Sequence, residues 1–340
     1  MKVRPITVVL LALSLLVVAL PAAVSAGGFT TVTTFNPAAG ELPEGLAMDR
    51  QGNLYVGFAP TAAIVKLAPS GAVSSYAQLP SPQATAGFLV GLAFDSQGEV
   101  LYAALSSFDP ATHGIWRVRQ GGTVVERFAA LDPQSLPNGF AFRGDTVYVS
   151  DSFGGQVWAI DPQGSARVWK ADPLLQGDPT VNALGLSIGA NGIAFRGSSL
   201  YVANNDRGLI VRIPVNSDGS AGAVEVVADD PELLRGADGI AFDDAGRLYV
   251  AANGHDRLVV VAPEPGGAVT VLEEGAPLDF PASLVVRDGE LFVTNFALLR
   301  AQSLLPGAPS PSVLKRALPA VVGSQQPFPQ APAVQVPAKS

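Results

Sequence analysis

The chain predicts an all-β fold: a six-bladed β-propeller of four-stranded antiparallel blades, its ring closed by the N-terminal strand. Three observations carry this. One phrase recurs six times at intervals of 44 to 53 residues, each recurrence is a pair of short strands about a polar turn, and an isolated strand precedes the first recurrence.

Taken in order, the first element lies outside the fold. Lys2 and Arg4 precede an apolar run from Ile6 to Leu20, and "AAVSAGG" follows, with Val24 and Ala26 suiting cleavage near Ala26. That is the layout of a secretory signal peptide. The run is short of the roughly 20 residues that a bilayer span needs. Residues 1–26 therefore read as an export signal, and the mature protein as secreted or periplasmic and free of the membrane.

Residues 29–35, "FTTVTTF", alternate as a strand does but have no inner strands ahead of them. The six units follow: "PEGLAMDRQGNLYVGF" from Pro43, "VGLAFDSQGEVLYAAL" from Val90, "PNGFAFRGDTVYVSDS" from Pro137, "ANGIAFRGSSLYVANN" from Ala190, "ADGIAFDDAGRLYVAA" from Ala237 and "ASLVVRDGELFVTNF" from Ala282. Gly45, Gly91, Gly139, Gly192, Gly239 and Ser283 mark one shared position. Within each unit an apolar strand, a turn such as "DRQGN" and a β-branched and aromatic strand succeed one another. Further strands follow, such as "AIVKLAP" and "AVSSYAQL" in the first unit, which completes a propeller blade. The sixth unit has a third strand at "SVLKRAL" and no fourth. Donation of residues 29–35 to that blade closes the ring and hides both sheet edges. The propeller so defined spans residues 29–318. The last segment, 319–340, is rich in Pro, Ala, Gln and Val and reads as an extended or disordered tail.

Composition excludes several functions. No cysteine is present, so disulfides, thiolate metal sites and a cysteine nucleophile are ruled out. A formal charge of −8 argues against nucleic acid as a partner, because phosphate binding needs clustered cations. The expected partner is a small molecule, and the expected state a monomer.

The residues just before the marker are Glu44, Val90, Asn138, Asn191, Asp238 and Ala282. Asn or Asp before Gly is a common turn pair, so each alone reads as a turn. A propeller, however, brings this register together around one axis, where the four oxygen-bearing side chains would be costly if left dry and unpaired. A cation removes that cost. Calcium takes 6 to 8 oxygen ligands; Glu44 and Asp238 would balance its charge, and Asn138 and Asn191 would add carbonyl oxygens. Another divalent cation fits the same set. Zinc fits less well, with sulfur absent and neither histidine in the ring.

The chain resembles the senescence-marker-protein (regucalcin), gluconolactonase and diisopropyl-fluorophosphatase group of six-bladed propellers. The resemblance spans roughly residues 29–300 and rests on "PEGLAMD", "PNGFAF", "ANGIAF", "ADGIAFDDAGRLYVA" and the period. It implies a catalytic calcium or similar ion held in the channel by Glu44, Asn138, Asn191 and Asp238. It also implies that Asp238 handles a proton, and similarity to paraoxonase-like members adds Asp151 as a second catalytic candidate. The implied activity is metal-dependent hydrolysis of a lactone or related ester, with phosphotriesters as side substrates.

The loops between second and third strands return to the face where the chain enters the inner strands. That rule places His113, His255, Asn204 and Asn253 near the ion as substrate-face candidates. Asp49, Asp95 and Asp243 fall in hairpin turns at the opposite face. The competing reading is a non-catalytic propeller of the NHL type that binds a glycan, peptide or protein. Two departures favour it: "EGLAM" stands where the enzymes have E-G-P-x-W, and no substrate-clamping arginine is matched. A lyase-like propeller with a lost or altered metal is a third reading.

Overall fold

The computed structural model describes residues 28–182 and 185–318. The segments read as export signal and tail lie outside the described residues. Six four-stranded sheets follow one another in chain order. Their innermost strands are Pro43–Met48, Phe88–Phe94, Pro137–Arg143, Ala190–Arg196, Ala237–Phe242 and Pro281–Arg287. The strand Thr30–Thr34 pairs antiparallel with Ser312–Ala317, as the outermost strand of the sixth blade. The sequence-derived architecture and its closure are both observed. Helix is confined to short pieces such as Pro231–Leu234 and Leu298–Ala301, and no described helix is long and apolar enough to cross a membrane.

The core is not central; it lies between blades. In the second strand of the first blade, Leu54 and Val56 join the cluster shared with the sixth blade. Tyr55 points the other way, into the cluster shared with the second blade, as period-two alternation requires. In four of the five second strands that carry a tyrosine, it meets a phenylalanine at the end of the next blade's inner strand. Tyr55 meets Phe94 at 4.9 Å, Tyr102 meets Phe142 at 5.3 Å, Tyr148 meets Phe195 at 5.2 Å and Tyr201 meets Phe242 at 5.0 Å between ring centroids, all edge to face. Each such pair contributes about 0.5–1.5 kcal/mol beyond its buried area. Hairpin carboxylates act locally, as expected: Asp49 accepts from the Gln51 and Asn53 N–H groups, Asp95 from that of Glu99 and Asp243 from that of Arg247.

The pair of residues around the marker does not form a turn. In all six inner strands it forms a β-bulge. Pro43 pairs with Phe58 and Leu46 with Val56, so Glu44 and Gly45 share the single partner Gly57. In the same way Val90 and Gly91 face Ala104, Asn138 and Gly139 face Ser150, and Asn191 and Gly192 face Ala203. Asp238 and Gly239 face Ala251, and Ala282 and Ser283 face Thr294. A bulge bends its strand and re-aims the side chain at the extra residue.

The marker must be small because the next blade is close. A Cβ on Gly139 would stand 2.9 Å from the Asn191 carbonyl oxygen, and one on Gly192 would collide with that of Asp238. Gly45, Gly91 and Gly239 meet the carbonyls of Val90, Asn138 and Ala282 in the same manner. Each glycine marker thus packs on the pre-marker residue of the following blade. That contact, repeated at five of the six junctions, sets the pre-marker residues at one level around the axis.

Candidate metal centre

In four of the six inner strands the residue before the marker carries the site. Glu44, Asn138, Asn191 and Asp238 are all buried, at 5 %, 7 %, 3 % and 7 % exposure, so their polar atoms must find partners inside the channel. Some do not. Glu44 Oε2 and Asn191 Oδ1 are buried without any hydrogen-bond partner. Asp238 Oδ2 accepts from Asn253 Nδ2 at 2.8 Å, and Asn138 Nδ2 lies 3.4 Å from Ser152 Oγ.

Burial pushes the Glu44 carboxyl well above the ordinary carboxylate range, and the nearby Asp238 charge pushes it further. Burial likewise raises Asp238 to about 7, against the opposing effect of the Asn253 hydrogen bond. The two acids therefore repel one another while buried, a costly pairing for bare carboxylates. Two repelling carboxyl groups with two oxygens lacking donors are a donor set that a hard divalent cation satisfies. Among the described residues no group of three His, Asp or Glu side chains gathers for a metal; this set instead joins two acids to two amides.

Below the ring a cavity of about 460 Å³ runs from the hairpin turns, at Asp49, Arg50 and Asp95, up to Asn138 and Asp238. Leu46, Leu92, Phe140, Ile193, Ile240 and Leu284, each two residues past the ring position, form its collar.

The other predicted residues have different duties. Asp151 is buried, but its Oδ1 accepts from the N–H groups of Leu136 and Gly154, both at 2.9 Å. Its Oδ2 accepts from Gln156 Nε2 at 2.9 Å and Trp158 Nε1 at 3.2 Å. With four donors on it, this carboxylate ties loops together and has no lone pair to spare as a base. Asn204 occupies the matching position in the fourth blade, where its Nδ2 donates to the Leu174 and Gln176 carbonyls, both at 2.9 Å. It braces the loop instead of facing substrate.

His113 is wholly buried. Its Nδ1 accepts from the Phe108 N–H at 3.1 Å, which leaves Nε2 to donate to Ser135 Oγ at 3.0 Å. Burial lowers its pKa to about 4, against the pull of Asp151 and Asp132, so it is a neutral structural imidazole. His255 is exposed in the turn Asn253–His255. Asn253, in the same turn, touches the site through Asp238.

Two residues that the sequence reading passed over support the ring. Ser150 Oγ accepts from the Gly139 N–H at 2.9 Å and donates to the Asn191 carbonyl. Thr294 Oγ1 accepts from the Ser283 N–H at 3.0 Å and donates to the Glu44 carbonyl at 2.9 Å. Their signal in the sequence is a hydroxyl at the second-strand position where other blades have Gly57, Ala104, Ala203 or Ala251.

Comparison with known proteins bears on the fold. Residues 174–296 match the model of the SMP-30/Gluconolactonase/LRE-like region. No curated protein matches the chain by sequence. Among solved structures, the calcium-binding protein regucalcin from Agrobacterium tumefaciens superposes with a TM-score of 0.61 at 14 % identity, over 86 % of this chain and 94 % of that one. A gluconolactonase from Xanthomonas campestris gives 0.58 at 18 % identity, over 86 % and 89 %. Virginiamycin B lyase from Staphylococcus aureus gives 0.56 at 18 % identity, over 79 % and 82 %. At these identities the superpositions speak to the fold. The chain is thus a six-bladed propeller whose residues 174–296 match the SMP-30/gluconolactonase/LRE-like family, the resemblance its repeat phrases carry.

Proposed function

We propose that this chain is an exported hydrolase, dependent on calcium or another divalent cation, that opens a lactone or related ester. The observation that carries the reading is the pair of buried oxygens without donors, Glu44 Oε2 and Asn191 Oδ1, in a channel where Glu44 and Asp238 repel. The gluconolactonase and regucalcin likenesses support it. Glu44, Asn138, Asn191 and Asp238 would hold the ion, Glu44 and Asp238 supplying charge and the amides neutral oxygens.

When bound, such an ion supplies Lewis acidity that polarises an ester carbonyl and stabilises the negative charge formed on its oxygen. The chain's own residues do the rest. Asp238, with one oxygen tied to Asn253, would present its other oxygen to the ion and to the water or ester beside it, where it would hold or pass a proton. Asp151, with its lone pairs committed, is left out of the proton path.

Hydrolysis of a panel of sugar and aliphatic lactones, with calcium and then with chelator, tests the proposal. Activity should need the ion, and Asp238→Asn should abolish it while the propeller stays folded. Full activity in chelator or in Asp238→Asn would reject it.

A further inference from the structure

Asp238 is the ring acid whose carboxylate takes a hydrogen bond from a neighbouring side chain, and the donor belongs to a turn built with unusual care. Asn253 begins the single turn Asn253–His255. Its N–H donates to the Gly236 carbonyl at 2.8 Å, and its side chain reaches Asp238 Oδ2 at 2.8 Å. Gly236 leaves room for it, since a Cβ there would stand 2.7 Å from Asn253 Oδ1.

The turn ends on Asp256, which has φ of +48°, a left-handed conformation that costs energy unless its surroundings impose it. They do. Asp256 Oδ1 accepts from the Phe280 N–H at 2.6 Å. Its Oδ2 accepts from both terminal nitrogens of Arg300, each at 3.1 Å. Arg300 lies in the short helix Leu298–Ala301 of the next blade, and it also pairs with the buried Asp279. A guanidinium held by two carboxylates is a rigid anchor. A continuous path therefore runs from Arg300 through Asp256 and the turn to Asn253, and so to Asp238.

We propose that Asn253 is a positioning residue for the channel cation: it fixes which oxygen of Asp238 faces the axis, and Arg300 acts on the site through it by way of Asp256. This rests on the reading that the ring holds a divalent ion. A carboxylate tied at one oxygen presents the other in a single orientation, whereas an untied one must be ordered when the ion binds. Groups that orient metal ligands in this way typically contribute about 10–100-fold to metal affinity.

The test is calcium titration by calorimetry on the full chain, read as affinity. Asn253→Ala should weaken binding about 10–100-fold with an unchanged circular dichroism spectrum. Asn253→Ser, which stays polar but stops short of Asp238, should lose affinity to a similar extent and guards against a folding defect in the first variant. Arg300→Gln should weaken binding less, and its effect should vanish in the Asn253→Ala background, because a path through one residue gives a non-additive cycle. Wild-type affinity in both Asn253 variants overturns the inference while leaving the metal reading intact. Additive effects of Arg300→Gln and Asn253→Ala overturn the path. No calcium binding by the wild-type chain overturns the metal reading and this inference together.

Discussion

Asp238 and Asp151 are both buried aspartates near one end of the channel, yet their surroundings give them opposite duties. Asp151 takes four donors and serves as a structural brace. Asp238 takes one from a side chain and faces a second acid. His113 shows the same principle in a base. Its pKa is 6.5 in a free side chain and about 4 in the fold. Between those values the unfolded chain binds more protons than the folded one. His113 therefore contributes stability that is complete above about pH 6.5 and is lost as the pH falls through about 4, of order 1–3 kcal/mol. Thermal melts across pH 4 to 7 should show a smaller acid-induced loss for His113→Gln than for the wild type. Parallel curves would show that the imidazole charges freely in the fold. The resemblance to paraoxonase-like members named Asp151 from its place at a strand end. Of its four donors, the Leu136 and Gly154 N–H groups lie in loops, while the Gln156 and Trp158 side chains stand on the neighbouring strand Gln156–Ile160.

At the scale of the strand, the bulge is the device that matters. The sequence shows "NG" and "DG", which on their own read as turns. The structure shows why the same letters serve inside a strand: the residue before glycine is the extra residue of a bulge, and the glycine clears the next blade's carbonyl. Two blades add a hydroxyl, Ser150 and Thr294, that joins one bulge to its neighbour. Thr294→Val keeps the shape and deletes the hydrogen bond to the Glu44 carbonyl. It should cost about 1–3 kcal/mol in urea denaturation, because the buried Ser283 N–H and Glu44 carbonyl lose a partner. A midpoint equal to wild type would mean that the blade junction does not rely on this bridge.

At the scale of the whole molecule, the repeat was the most legible feature. A phrase recurring six times fixes blade number, and a strand without inner neighbours fixes the closure that Thr30–Thr34 provides. Convergence of Glu44, Asn138, Asn191 and Asp238 followed from that periodicity, because residues far apart along the chain share one register. The second tier of the site was not legible. The bond from Asn253 to Asp238 depends on a turn fixed from the next blade through Arg300 and Asp256. Unlike the Tyr–Phe contacts between blades, the Arg300–Asp256 pair has no counterpart in the repeated phrase. The propeller therefore works as a frame that brings four ring residues to an axis, with loops from neighbouring blades setting their orientation.

Isothermal titration of the purified chain with calcium at neutral pH, beside Glu44→Gln, Asp238→Asn and Asp151→Asn, probes that frame most directly. One ion should bind per chain, binding should disappear in the two ring variants, and it should persist in the folded fraction of Asp151→Asn. Wild-type calcium binding in Glu44→Gln and Asp238→Asn, or none in the native chain, would contradict an ion site at the propeller axis.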